Sequence, residues 1–193
     1  MDTFTAHQIA DAGFTATEMK DAGYQAVELA PPFTVGDLKA AGFTATELKT
    51  IAPIGDLKAA GFSATDLAGA GFPAGDLAGA GFTASALKAA GFSATDLYGS
   101  FTAGEMWAAG FTATDLKTAG FSATDLAMYF TATDLKTAGF SASELTAAGF
   151  TTGALLEAGF SPTQLGDAGV SAAALADAGF GLCSTSGWYS IDT

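Results

Sequence analysis

The 193-residue chain contains no arginine, no asparagine, one histidine, one cysteine and five prolines. Each shortage excludes something. Seven lysines stand against 20 acidic residues, a net charge of -13, so the cationic footprint that phosphate backbones and anionic membrane surfaces require is missing and nucleic acid is excluded as a partner. A lone Cys183 cannot close an internal disulfide, so packing and backbone hydrogen bonds must hold the fold, and the redox compartment stays open. With no second thiol or histidine nearby it reads as a free thiol rather than a nucleophile. His7 lies alone near the N-terminus, without the partners that a zinc site or a catalytic triad needs. No run of roughly 18 uncharged apolar residues occurs, so no segment is expected to span a bilayer. Phosphate-binding loops are also missing, since neither Gly-x-Gly-x-x-Gly nor Gly-Lys followed by Ser or Thr appears.

What is present is one ten-residue unit, Phe-Thr-Ala-Thr-Asp-Leu-Lys-Thr-Ala-Gly at 111–120, recurring with few interruptions from Phe4 to Phe180. A fixed short period means that each unit can bury its apolar side only against other units, which makes a solenoid rather than a globule around one pocket. The apolar content of 49% and mean hydropathy of +0.34 are too high for a disordered acidic chain. Residues 1–181 read as one repeat domain and 182–193 as a non-repetitive tail. Because the repeat starts at Phe4, no room precedes it for a targeting segment. The expectation is a soluble chain from which any presequence for organelle import has been removed.

The positions within the unit predict a short helix. In Phe14-Thr15-Ala16-Thr17-Glu18-Met19, Thr15 stands at the N-cap and Glu18 at N3, the reciprocal capping box, while Phe14 and Met19 have the spacing of a hydrophobic staple. Each unit closes on Ala-Gly-Phe, which puts glycine at C′ and allows an apolar contact such as Leu57 with Phe62 or Leu116 with Phe121. One phenylalanine thus serves two helices. Acids fall in the first turn, and lysine follows leucine toward the end, where the macrodipole favours it and where it is expected to face solvent. Ser161-Pro162-Thr163-Gln164 combines a cap, Pro at N1 and Gln at N3. Pro73, at an N-cap position, is discordant. The fold expected is an all-α solenoid of about eighteen capped helices of seven or eight residues, one per decapeptide. Stacking must stabilise them, because such helices are marginal alone.

The alternative is a right-handed quadrilateral β-helix, since Phe and Leu alternate every five residues with a small residue two places before. This pattern resembles the pentapeptide-repeat family, and that resemblance implies square β-coils. The chain departs from the family in its strict ten-residue period and its lack of asparagine. The steps Leu29 to Phe33, Leu97 to Phe101 and Leu126 to Phe130 are each one residue short, whereas every Phe-to-Leu step stays at five. A helix can lose a residue from its last turn and keep its capped start, which favours helix. The unit also resembles the AGF-[ST]-A-x-[DE]-L-K decapeptide-repeat proteins of algae and other protists, over nearly the whole chain. That resemblance implies a repetitive structural protein and brings no catalytic residue with it.

The N3 acids Asp66, Asp96, Asp115 and Asp134 could be read as a calcium-binding or catalytic ladder. They lack the clustered oxygen cage of calcium sites and the contrasting environments of an acid and base pair. Neither a metal, a cofactor nor an enzymatic activity is expected. Large apolar residues that break the consensus are the candidate partner contacts: Tyr98, Trp107, Met128 and Tyr129, with Trp188 and Tyr189 in the tail. Tyr98 and Trp107 stand where lysine usually follows leucine. Interruptions at Pro31-Pro32, Ile51-Ala52-Pro53, Gly99-Ser100 and Met128-Tyr129 are expected to bend the path or open shallow grooves.

The function expected is a non-enzymatic scaffold or linker subunit that offers an extended apolar helical surface to other subunits of a larger assembly. A photosynthetic antenna or photosystem complex is one setting, if the source is photosynthetic. Pigment or lipid contact does not follow from the residues. The alternative is an ice-binding or surface-templating protein using Thr-Ala-Thr arrays such as Thr44 to Thr46 and Thr112 to Thr114, which requires the β-helix so that both threonines face outward.

Overall fold

The computed structural model describes residues 5–183 and 187–190, with 181–183 and 187–190 described by their backbone only. Two compact units divide the chain, Met1–Phe92 and Ser93–Thr193. The first holds α1 (Ala6–Asp11), α2 (Ala16–Asp21), α3 (Ala26–Leu29), α4 (Val35–Ala40), α5 (Ala45–Leu48), α6 (Ile54–Ala59), α7 (Ala64–Gly69), α8 (Ala74–Gly79) and α9 (Ala84–Ala89). The second holds α10 (Ala94–Leu97), α11 (Ala103–Ala108), α12 (Ala113–Ala119), α13 (Ala123–Leu126), α14 (Ala132–Thr137), α15 (Ala142–Ala147), α16 (Thr152–Glu157), α17 (Pro162–Asp167) and α18 (Ala172–Asp177). An antiparallel hairpin of β1 (Phe180–Cys183) and β2 (Gly187–Ser190) follows, lying against α17 and α18. The described decapeptides are helical throughout, so the quadrilateral β-helix is overturned.

Both ends of most helices are closed by the residues that the repeat supplies. At α5 the Thr44 hydroxyl accepts from the Glu47 amide at 3.3 Å, and the Glu47 carboxylate accepts from the Thr44 amide and hydroxyl, both at 2.7 Å. At the C-terminus of α4, Gly42 takes φ 85°, open to a residue without Cβ. Its amide donates to the Lys39 carbonyl at 2.8 Å while the Phe43 amide donates to the Leu38 carbonyl at 3.0 Å, the double bond of a Schellman motif. Pro162 occupies N1 of α17 beside a complete capping box, and Pro53 and Pro73 start α6 and α8 without a side-chain cap. The helices run four to seven residues rather than seven or eight, because the cap residue and left-handed glycine complete the last turn without continuing it.

The shortened units behave as a loss at the C-terminus. α3, α10 and α13 are four-residue helices with intact starts, and Phe33 and Phe130 bond back to Leu29 and Leu126 at 3.1 Å instead of through a glycine turn. α5 is a fourth such case, with Ala52 buried in the place of phenylalanine.

The core is assembled from the N4 leucine, or Met19 and Met106, together with most of the N1 alanines. The leucines at this position are 0–1% exposed, and no polar side chain is buried among the described residues. Each such leucine contributes about 2 kcal/mol of burial. Packing follows an alternating rule: α2 rests on α4, α4 on α6, α5 on α7 and α7 on α9, and in the second unit α10, α12, α14 and α16 stack in turn beside α11, α13, α15 and α17. Neighbouring decapeptides therefore enter different columns, and the repeating layer is two units deep in sequence.

Capping accounts for the first threonine of each Thr-Ala-Thr. Thr44 and Thr112 turn their hydroxyls onto the N3 amide and carboxylate, so no flat array of outward threonines exists and the ice-binding reading loses the face that it required. Thr44→Ala is expected to cost about 1 kcal/mol in urea unfolding, while Thr46→Ala, on the exposed side of the same helix, leaves stability equal or slightly raised. Equal losses at both positions would remove the cap from the account.

Candidate functional site

The consensus-breaking residues gather in the second unit. Trp107 lies on α11, three residues after Gly104, so both occupy one face of that helix. Tyr129, which follows α13, lies across this face with its ring 5.6 Å from Trp107 and tilted by 31°. Gly104 permits the approach, since a Cβ there would stand 2.6 Å from the Tyr129 hydroxyl oxygen. Trp107 remains 48% exposed, and Met128, next to Tyr129 along the chain, is 88% exposed. Beside them a shallow groove of about 410 Å³ is lined by Trp107, Phe111, Thr114, Phe130, Asp134 and Thr137. Tyr98 is half exposed and meets the Phe121 ring edge-on at 4.9 Å. Trp188 and Tyr189 belong to β2, paired with Leu182 and Gly181, and their side chains lie outside the described residues.

The acids are committed to the caps. The Ser63 hydroxyl, and next its amide, hold the Asp66 carboxyl below the usual carboxylate range, and the Thr131 hydroxyl and amide do the same for Asp134. For Glu18 the Thr15 amide is the larger cause and its hydroxyl the second. No group of three or more His, Cys, Asp or Glu gathers to hold a metal among the described residues. Asp66, Asp96 and Asp134 each accept from their own cap residue, so the ladder offers repeated copies of one environment rather than two carboxyls of different acidity.

The lysines correct the expectation that they face solvent. Each is half-buried, and Lys49 reaches two decapeptides ahead, where its Nζ donates to the carbonyls of Ala70 at 3.0 Å and Gly71 at 2.7 Å and stands 4.8 Å from the centre of the Phe72 ring. Lys20 bonds in the same way to the Gly42 carbonyl and stands 4.6 Å over Phe43, where its charge also lowers the Glu47 pKa, after the larger effect of the Thr44 hydrogen bonds. A cation at the C-terminal carbonyls of one helix and over an aromatic face gains from the dipole and from the ring quadrupole together. Tyr98 sits at this position in its own unit and covers Phe121 with a ring instead. Sequence reasoning missed the role because the strand of contacts skips a decapeptide, and nothing in a uniform repeat says which copies touch.

No helix among the described residues is long and apolar enough to cross a membrane. Comparison with curated proteins and with solved structures finds no match. The family model described as a decapeptide repeat region matches residues 52–100 and 127–184, more than half of the chain. Capped helices, left-handed glycines and a ten-residue unit matched over that length together show that the chain belongs to the decapeptide repeat family.

Proposed function

We propose that this protein is a non-enzymatic scaffold or linker subunit, holding partner proteins of a larger assembly against an apolar helical surface. The observation that supports this most is the exposure of Trp107 and Met128, two large apolar side chains, where the repeat normally places lysine or small residues. Aromatics and methionine left in water are the composition of interface centres. The Trp107–Tyr129 contact holds both rings against each other before docking, which lowers the side-chain entropy left to lose. The non-enzymatic reading is supported by the engagement of the acids in capping and by the isolation of His7.

The test is native-source isolation of the tagged chain beside a Trp107→Ala/Met128→Ser double variant. The wild type is expected in a defined complex larger than the monomer, with crosslinks mapping to residues 98–130. The variant should run free while keeping its helical circular dichroism. A wild type that stays a monodisperse monomer with nothing bound sinks the proposal.

A further inference from the structure

The chain builds one kind of ammonium receptor many times and fills it from within. The receptor is the face of a repeat phenylalanine together with the carbonyls that end the preceding helix. Lys20, Lys39, Lys49, Lys58, Lys117 and Lys136 stand 4.6, 4.9, 4.8, 4.9, 4.4 and 4.7 Å from the ring centres of Phe43, Phe62, Phe72, Phe82, Phe140 and Phe160. Lys58 and Lys136 also donate to the carbonyls of Ala80 at 2.7 Å and Ala158 at 3.0 Å. Each ammonium lies close above the left-handed glycine: the point where a Cβ would stand is 2.9–3.4 Å from Nζ at Gly42, Gly61, Gly71, Gly81, Gly139 and Gly159.

At Gly91-Phe92 in the first unit the receptor is built and the helix two decapeptides earlier encodes no lysine for it, whereas Gly13-Phe14, also uncovered, has no helix two decapeptides before it among the described residues. Ala68 follows the core Leu67 as Lys58 follows Leu57, and its counterpart two decapeptides on is Gly91-Phe92. Gly91 has the same left-handed backbone, φ 95°, yet nothing lies within 4 Å of its Cβ point. Phe92 is half-buried, as are the lysine-covered Phe72 and Phe82, and no ammonium stands over it. A groove of about 570 Å³ opens there, lined by Ala68, Gly69, Phe72, Ala90, Gly91 and Phe92. Ala90, Gly91 and Phe92 in its lining are the counterparts of Ala80, Gly81 and Phe82 at the Lys58 receptor.

We propose that this groove receives the side-chain ammonium of a lysine presented by a partner protein, which completes between two chains the contact that Lys58 completes within one. The chemistry selects the occupant. A compact ammonium fits a ring face and helix-ending carbonyls, which are acceptors only, and the six filled receptors all hold lysine. The net charge of -13 draws a basic partner toward the surface and repels an acidic one. This site lies in the first unit and does not depend on the Trp107 surface, so either can fail alone.

The experiment is nuclear magnetic resonance titration of the full chain with a blocked Gly-Lys-Gly peptide, its Nε-acetylated form and spermidine, on wild type and Ala68→Lys. The lysine peptide is expected to shift the Gly91 amide and Phe92 ring saturably, and acetylation should weaken binding at least about tenfold by removing the charge. Ala68→Lys restores the common residue at that position, so it should fold, show contacts between its own Cε protons and the Phe92 ring, and no longer respond to the peptide at these nuclei. Equal response to the acetylated peptide, an unchanged response in Ala68→Lys, or no contact between its lysine and Phe92 overturns the proposal. Spermidine binding as tightly as the peptide overturns the assignment to a protein lysine.

Discussion

Leu116→Ala is expected to lower the unfolding free energy by about 3 kcal/mol, within the range found when a fully buried leucine is truncated and the site cannot collapse. Leu116 is the N4 residue of α12, 0% exposed, and α12 packs on both α10 and α14. Three short helices lose a common contact at once, and none of them is long enough to hold itself in water. The loss should therefore be uneven. Amide exchange in α10, α12 and α14 should quicken more than exchange in α2 and α4, because coupling in a repeat array runs mainly between adjacent layers. Thr114→Ala, exposed on the same helix, is the control and should change stability by no more than a few tenths of a kcal/mol. A loss below about 1 kcal/mol for Leu116→Ala would mean that the stacked core is not what holds the helices.

Acid should unfold the protein through its caps. Glu18, Asp37, Glu47, Asp66, Asp96, Glu105, Asp125, Asp134 and Glu144 all titrate below their usual values because Ser or Thr hydroxyls and amides donate to the charged form. A carboxyl with a depressed folded-state pKa adds stability that is complete above its unfolded value, near 4, and that is lost as pH falls through that value toward the folded one. Each contribution is small at an exposed cap, but all have the same sign and titrate together. Neutralising the acids also relieves self-repulsion from a net charge of -13, an effect of opposite sign. Salt separates the two, since about 0.5 M screens repulsion between distant charges far more than a direct hydrogen bond. In that salt the urea midpoint is expected to hold level down to about pH 5 and to fall from there to about pH 3. A flat or rising midpoint would contradict the capping account.

Much of this fold was legible in the residues because its signals are local. Thr15 with Glu18, Gly42 before Phe43, and Pro162 between Ser161 and Gln164 each specify a helix end within five residues, and each end forms as read. The short steps at Leu29, Leu97 and Leu126 also point the right way, since the missing residue leaves the last turn. What could not be read is whatever depends on the layer beyond the next one. Lys39 was expected to face water because a lysine one place after a core leucine usually does. Its position over Phe62 exists only because α4 rests on α6, a choice that identical copies do not encode by their order. The candidate surface was half legible. Trp107 and Tyr98 stood out as departures from lysine, but the partnership of Trp107 with Tyr129, and the role of Gly104 in allowing it, needed the stacked arrangement.

Alternation between columns gives the chain a parity. Trp107 and Tyr129 meet because an even number of decapeptide steps separates them, as it does Tyr98 and Phe121 or Lys49 and Phe72. Duplicating or deleting a single decapeptide inside a unit would keep every cap and every buried leucine, yet it would transfer all later side chains of that unit to the opposite flank. Copy number can thus change by pairs outside the 98–130 stretch and leave each side chain on its own flank, whereas an odd change moves the later ones to the other flank while the protein stays folded.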